Sequence, residues 1–114
     1  MHEAAVAQSL LEVISAEAKK QKTRPVAAKI SCGVFNNVNN EALHFAFEAI
    51  SEGTVCQGLK LYIEQKPIQA RCKKCNDTFA FDLHNLNCPK CRSDDFELLP
   101  DAPLLLEEIE FEDR

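Results

Sequence analysis

The sequence contains no apolar run approaching the roughly 18 residues that a membrane-crossing helix needs, and its opening, Met1-His2-Glu3, lacks the basic start of a secretory signal. No stretch of Lys or Arg is long enough to form a nucleic-acid footprint, and the formal charge is −5, from 13 basic and 18 acidic residues. The expected location is the cytoplasm, with neither membrane nor nucleic acid as a partner. Internal repeats and low-complexity tracts are also missing. Nowhere does the chain offer a nucleophile, a base and an orienting group in combination, so an enzyme is not expected.

What remains is a chain of 114 residues with 46% hydrophobic and 27% charged residues, close to the globular average. That length suits one ordinary domain, or a small core carrying a metal-stapled appendage; the cysteines favour the second. In a reducing compartment, six cysteines are expected as ligands or buried thiols rather than as disulfide partners. Cys32 and Cys56 lie within or beside apolar segments and read as buried packing residues.

From Glu3 to about Lys20, Val6, Leu10, Val13, Ile14 and Ala18 recur at helical spacing, and Lys19, Lys20 and Lys22 suit the negative end of the helix dipole. After Thr23-Arg24-Pro25, alternation of Val26, Ala28, Ile30 and Cys32 with Ala27, Lys29 and Ser31 predicts a strand with one covered face. Gly33 loosens the chain, and Asn36 to Asn40 reads as a turn leading to a helix N-cap. A second helix presents Leu43, Ala46, Phe47 and Ile50 and stops at Gly53. A strand follows at Leu59, Leu61 and Ile63, closed by Pro67. The tail, Leu104 to Glu112, alternates again, with Leu105, Glu107, Ile109 and Phe111 opposite Leu104, Leu106, Glu108, Glu110 and Glu112, which predicts a last strand with an acidic outer face.

The order is helix, strand, helix, strand, cysteine module, strand. This predicts an α+β fold in which both helices pack on one face of a small, mainly antiparallel sheet. Residues 1–67 and 101–114 would form that unit, and residues 68–100 a zinc-ribbon-like module inserted between two strands.

Cys72-x-x-Cys75 and Cys88-x-x-Cys91 are spaced so that two tight turns place four thiolates around one ion. The 12 residues between the pairs are fewer than the about 15–20 of common zinc ribbons, but Thr78 to Phe81 could run out and return as a hairpin. So short a segment cannot bury an adequate core, and a structural Zn(II) site must hold it together. Four thiolates leave no open position for a catalytic water. Iron in the same ligands would make a rubredoxin-like redox centre. His84, between the pairs, could replace a ligand but reads as an exposed hairpin residue.

The amino terminus is the second place for chemistry. The α-amine of Met1, the backbone nitrogen of His2 and the His2 imidazole can close two adjacent chelate rings on one cation, leaving a position for Glu3 or a neighbour. Such donors suit Ni(II) or Cu(II). Deprotonating an amide costs free energy, so binding there would be pH-sensitive. By itself, a histidine at position two is more often incidental.

Taken together, Met1-His2-Glu3, Leu43-x-x-Ala46-Phe47-Glu48, Glu52-Gly53-Thr54, Leu59 and two Cys-x-x-Cys pairs, the second reading Cys88-Pro89-x-Cys91, resemble the HypA family of nickel metallochaperones of hydrogenase maturation. The resemblance covers essentially the whole chain. It implies a carrier with nickel at His2 and Glu3, aided by the Met1 amine, and zinc at Cys72, Cys75, Cys88 and Cys91. It also implies work with a HypB-type GTPase that supplies nickel to the large subunit of nickel-iron hydrogenase and, in some members, to urease maturation proteins. Two departures affect loop shape: Arg92 stands where members often have Gly, and Asp101-Ala102-Pro103 replaces a Gly-containing turn. For a further ligand near the second helix, the chain offers only Asn39, Asn40 and Glu41, while His44 reads as a surface or packing residue.

The rival reading is a zinc-ribbon module that binds nucleic acid or a transcription complex through Arg71, Lys73, Lys74, Lys90 and Arg92. Asp77, Asp82, Asp94 and Asp95 dilute that patch.

Overall fold

Apolar spacing at three and four residues builds α1 (Glu3–Gln21), which buries Val6, Ala7, Leu10, Ile14 and Ala18. The computed structural model that shows this describes residues 3–34, 38–84 and 86–113. Val13, expected in the buried stripe, is 54% exposed. The stripe is centred on Ala7, Leu10 and Ile14, and Val13 lies on its solvent edge.

Strand β1 (Pro25–Gly33) runs under the helices and is followed by α2 (Asn40–Ser51). Asn39 caps α2: its side-chain oxygen accepts a hydrogen bond from the Ala42 amide at 2.9 Å. Asn36 and Asn37, the start of the expected turn, lie outside the described residues. Leu43 and Phe47 are buried, Ala46 and Ile50 pack beside them, and Gly53, at φ +77°, turns the chain away. The chain then returns as β2 (Lys60–Lys66), parallel to β1, with Ala28 opposite Leu61 and Ile30 opposite Ile63. Parallel neighbours require a crossover, and α2 supplies it.

The last strand, β6 (Leu105–Phe111), pairs antiparallel on the other side of β1, so the sheet order is β2-β1-β6. The core joins Val6, Leu10 and Ile14 of α1, Leu43 and Phe47 of α2, and Ala28, Ile30, Cys32 and Leu61 of the sheet. Cys56, fully buried, approaches Ser15 Oγ at 3.6 Å.

The expected strict alternation of β6 fails at a bulge. Ile30 faces Leu106 but Lys29 faces Glu108, so Glu107 is the extra residue. Leu106 and Ile109 therefore both reach the core, whereas Leu105, opposite Ser31, is 48% exposed. The extra residue has a use. Ser31, only 1% exposed, donates a hydrogen bond to Glu107 Oε1 at 2.6 Å, and Lys66 Nζ lies 3.7 Å from the same oxygen.

The Ser31 hydrogen bond, with the charges of Lys66 and Lys29, holds the Glu107 carboxyl below its ordinary range. A depressed folded-state value stabilises the fold above the ordinary carboxylate pKa, and that contribution is lost as pH falls through the folded value. Ser31→Ala is therefore expected to leave stability near neutrality less dependent on Glu107 and to flatten the acid limb of the stability curve. Chemical denaturation from neutral to acid pH would measure it; superimposable profiles would refute the assignment.

Between β2 and β6 lies a second three-stranded sheet, ordered β4-β3-β5, formed by β3 (Gln69–Cys72), β4 (Thr78–Ala80) and β5 (Phe96–Leu98), with both pairings antiparallel. Thr78 to Phe81 does not fold back on itself, as the sequence suggested. Instead Thr78–Ala80 returns onto Arg71–Gln69 across the first cysteine turn. The chain segments entering and leaving this sheet meet at the end of β1. Val34 N–H donates to Lys66 O at 3.2 Å, and Gly33 N–H to Ala102 O at 2.9 Å. A Cβ at Gly33 would meet the Asp101 carboxylate, which would have to swing aside.

Candidate metal centre

Two turns with the same main-chain pattern build the cysteine site. In the first, Asn76 N–H donates to Cys72 O and Cys72 N–H to Asp77 O, both at 2.9 Å. In the second, Arg92 N–H donates to Cys88 O and Cys88 N–H to Ser93 O, both at 2.8 Å. Each turn needs a left-handed residue four positions after its first cysteine: Asn76 at φ +61° and Arg92 at φ +64°. Asparagine adopts that conformation readily; arginine does so less readily, and the Asn87 side chain secures this turn by donating to Arg92 O at 3.0 Å. Lys73 N–H donates to Asp95 O at 2.9 Å and ties the two turns together.

The turns bring all four sulfurs within 4.8 Å of one another. Cys72 and Cys91 Sγ are 3.4 Å apart, and Cys75 and Cys88 Sγ 3.6 Å. A tetrahedral ion with sulfur ligands at about 2.3 Å would set its sulfurs about 3.8 Å apart, so the donor set fits one zinc ion. The electrostatics agree. The Cys75 amide favours the Cys72 thiolate and lowers that thiol to about 7, and the Cys91 amide acts likewise on Cys88. The Asp77 amide favours a Cys75 thiolate, but burial and the adjacent sulfurs outweigh it and push that thiol up to about 12. The Ser93 amide is outweighed in the same way at Cys91, which is raised. Four neighbouring sulfurs cannot all ionise unaided; a divalent cation removes that conflict.

Beneath the sulfurs, Phe96 packs edge-on against Phe79 at 5.7 Å and lies 5.8 Å from Phe81, and Ala70, Cys72, Phe79 and Cys88 form the buried cluster. Arg71 is ion-paired with Glu97 across β3 and β5, which depresses the Glu97 carboxyl. His84 is exposed, its N–H donating to Asp82 Oδ1 at 2.9 Å, and it takes no part in the four-sulfur group. The turn residues Asn76 and Asn87 are the part of this site that sequence reasoning missed; their only signal was position, just beside each cysteine pair. Arg92, by contrast, was singled out as standing where a Gly is common, and its positive φ is the reason for that preference.

At the other end of the chain, Met1 and His2 lie outside the described residues. Glu3 opens α1, and its Oε2 is buried without a hydrogen-bond partner among the described residues. Of the residues near α2, Asn39 has its side-chain oxygen committed to the cap. His44 has Nδ1 2.7 Å from Asn40 O and Nε2 2.8 Å from Leu61 O, so both ring nitrogens face main-chain carbonyls and neither is presented to a metal. Among the described residues, no helix is long and apolar enough to cross a membrane.

Residues 1–111 match the family model described as hydrogenase/urease nickel incorporation, metallochaperone, hypA. The chain is 33% identical over 113 residues to hydrogenase maturation factor HybF of Escherichia coli (strain K12), covering 98% of this chain and 100% of that one. It is 32% identical over 114 residues to hydrogenase maturation factor HypA of Desulfitobacterium hafniense (strain DSM 10664 / DCB-2), covering 99% and 100%. The solution structure of the nickel metallochaperone HypA from Helicobacter pylori superposes with a TM-score of 0.64 at 25% identity, covering 97% of each chain. A second HypA solution structure gives 0.69 at 25% identity, covering 97% of this chain and 96% of that one.

Proposed function

The chain belongs to the HypA family of nickel-incorporation metallochaperones, and on that footing we propose that it captures Ni(II) at its own amino terminus and releases it during maturation of nickel-iron hydrogenase. The ligands are the Met1 amine, the His2 backbone nitrogen and imidazole, and Glu3. The observation that carries this reading is Glu3 Oε2, a carboxylate oxygen buried without a partner among the described residues, directly after Met1-His2. A buried acceptor left unsatisfied is costly, and a cation beside it would remove that cost. Placement in the first helical turn also favours the carboxylate over a neutral residue.

Nickel is cargo, so its site must bind and then yield. A chain terminus allows an acceptor's ligands to attack while the donors leave in turn, which a closed cage would resist. Ligand type alone favours copper over nickel, so selectivity has to come from availability and from docking to the delivery machinery. That machinery is proposed to be a HypB-type GTPase and the hydrogenase large subunit, in the cytoplasm, with urease maturation as a further outlet. Cys72, Cys75, Cys88 and Cys91 hold structural Zn(II), and no step of a reaction is assigned to them. The nucleic-acid reading loses support because Arg71 is engaged by Glu97.

Isothermal titration of Ni(II) into the zinc-loaded protein, His2→Ala and Glu3→Gln tests the proposal. His2→Ala is expected to lose the site, Glu3→Gln to weaken it, and zinc content to stay the same in all three. Affinity is expected to fall on acidification, as protons compete for the amine, amide and imidazole. Equal nickel affinity of His2→Ala and the parent protein would refute the assignment.

A further inference from the structure

Cys91 is the exposed member of the four-sulfur group; Cys75 is half-buried, and Cys72 and Cys88 are buried. Its chain neighbours Lys90 and Arg92 are both exposed. Beside the second turn a cavity of about 520 Å³ opens against Asn87, Cys88, Pro89 and Arg92. A coordinating thiol is held as thiolate, so with one ion bound all four sulfurs are nucleophilic and access decides which one reacts. Exposure and two flanking cations single out Cys91. Cys72 Sγ, of the other turn, stands 3.4 Å from it, while Cys88, its partner in the motif, faces Cys75 at 3.6 Å. The remaining thiols, Cys32 and Cys56, are buried outside the group and do not compete.

We propose that the four-cysteine site is also a peroxide-sensitive switch, in which oxidation begins at Cys91, ends as a Cys72–Cys91 disulfide and releases the ion. The inference rests on zinc occupying the four sulfurs. In the first step Cys91 Sγ attacks one oxygen of hydrogen peroxide. The S–O bond forms, the O–O bond breaks, the sulfur is oxidised to a sulfenic acid, and the departing hydroxide takes a proton to become water. In the second step the Cys72 thiolate attacks the Cys91 sulfur. The S–S bond forms, the S–O bond breaks, and a second hydroxide leaves and is protonated. Two thiolates, one peroxide and two protons have become one disulfide and two waters.

Two of the four ligands are then gone, and Cys75 and Cys88 alone do not close a tetrahedral site. The disulfide spans the two turns that Lys73 N–H and Asp95 O already join, so the oxidised module keeps its turns together but loses the ion that stabilised it. A dithiol reverses the step by exchange, and the site can refill. This chemistry is separate from nickel transfer, in which the cysteines take no step.

The test uses the zinc-loaded full chain, with zinc content measured first. A chain that holds no zinc on its four cysteines overturns the zinc reading and the switch with it; the outcomes that follow bear on the switch alone. Hydrogen peroxide added beside a chromophoric chelator is expected to cause loss of the bound zinc, and zinc that stays in place while Cys91 is oxidised would overturn the switch. A sulfenic-acid trap is expected to mark Cys91 before any other thiol. First labelling at Cys72, Cys75 or Cys88 would refute the part played by exposure. After free thiols are alkylated, trypsin leaves Cys72 on Cys72-Lys73, Cys91 on Cys91-Arg92, and Cys75 and Cys88 together on residues 75–90. The two small peptides are expected to be linked to each other; a link of either one to residues 75–90 would sink the pairing. A dithiol with added Zn(II) is expected to restore the full zinc content, and permanent loss would mean irreversible over-oxidation in place of a switch.

Discussion

Replacing Cys88 with serine, or stripping the metal with a chelator, will unfold the segment of β3, β4 and β5 while leaving α1, α2 and the β2-β1-β6 sheet folded. The small sheet has almost no core of its own. Of its four buried residues, Cys72 and Cys88 belong to the four-sulfur group proposed to hold zinc, leaving Ala70 and Phe79 with the partly buried Phe81 and Phe96. Such a core cannot offset the ordering entropy of the segment. A closed zinc site contributes about 10–16 kcal/mol of apparent binding near neutral pH, and binding available only to the folded form is folding free energy. Acid has the same effect, because protons compete with the ion for the thiolates. The larger core draws on α1, α2 and the other sheet and needs no metal. Amide exchange measured before and after chelation distinguishes the outcomes. Protection must vanish at Ala70 and Phe79 and persist at Ile30 and Leu43; protection retained in both regions would show that the metal is dispensable.

Phe47→Ala is expected to destabilise the helix-and-sheet unit by about 3–5 kcal/mol, the cost typical of emptying a buried aromatic site. Phe47 is 2% exposed and sits in one cluster with Val6, Leu10 and Ile14 of α1 and with Ile30 and Leu61 of the sheet. It holds the crossover helix against both neighbours. Partial collapse of the hole is limited, because β1 is pinned on both edges by β2 and β6. The denaturation midpoint of the core should fall, with zinc content unchanged because the sulfurs belong to the other sheet. A loss below about 1 kcal/mol would mean that the site repacks freely and that Phe47 is not a keystone of the core.

Much of this could be read from residue types and spacing. The two helices carry buried stripes at the expected repeats, and Gly53 ends the second where only a residue tolerant of positive φ fits well. The four thiols converge because each Cys-x-x-Cys turn is a local structure, fixed by a handful of neighbouring main-chain hydrogen bonds. Cys32 and Cys56, read as packing residues, are buried. His44, read as a surface or packing residue, has both ring nitrogens against main-chain carbonyls.

The misreadings share a cause. Val13 was placed in the buried stripe because periodicity gives a face but not the depth to which each edge of that face is covered. The alternation of β6 broke at Glu107 because a bulge depends on the strand beside it, here on Ser31, whose buried hydroxyl takes up the extra residue's carboxylate. Thr78–Ala80 pairs with β3 instead of with its own continuation because the first cysteine turn has already reversed the chain.

By itself, then, the sequence determined the two helices, the strands β1, β2 and β6, and the two Cys-x-x-Cys turns, since these depend on contacts a few residues apart. Only the tertiary structure decided that β2 lies parallel to β1 at the edge of its sheet, that β6 carries a bulge, and that one oxygen of the Glu3 carboxylate is buried without a partner among the described residues. Each of these follows from segments far apart in the chain meeting across the core, where the packing of one sets the hydrogen bonds left over for the other.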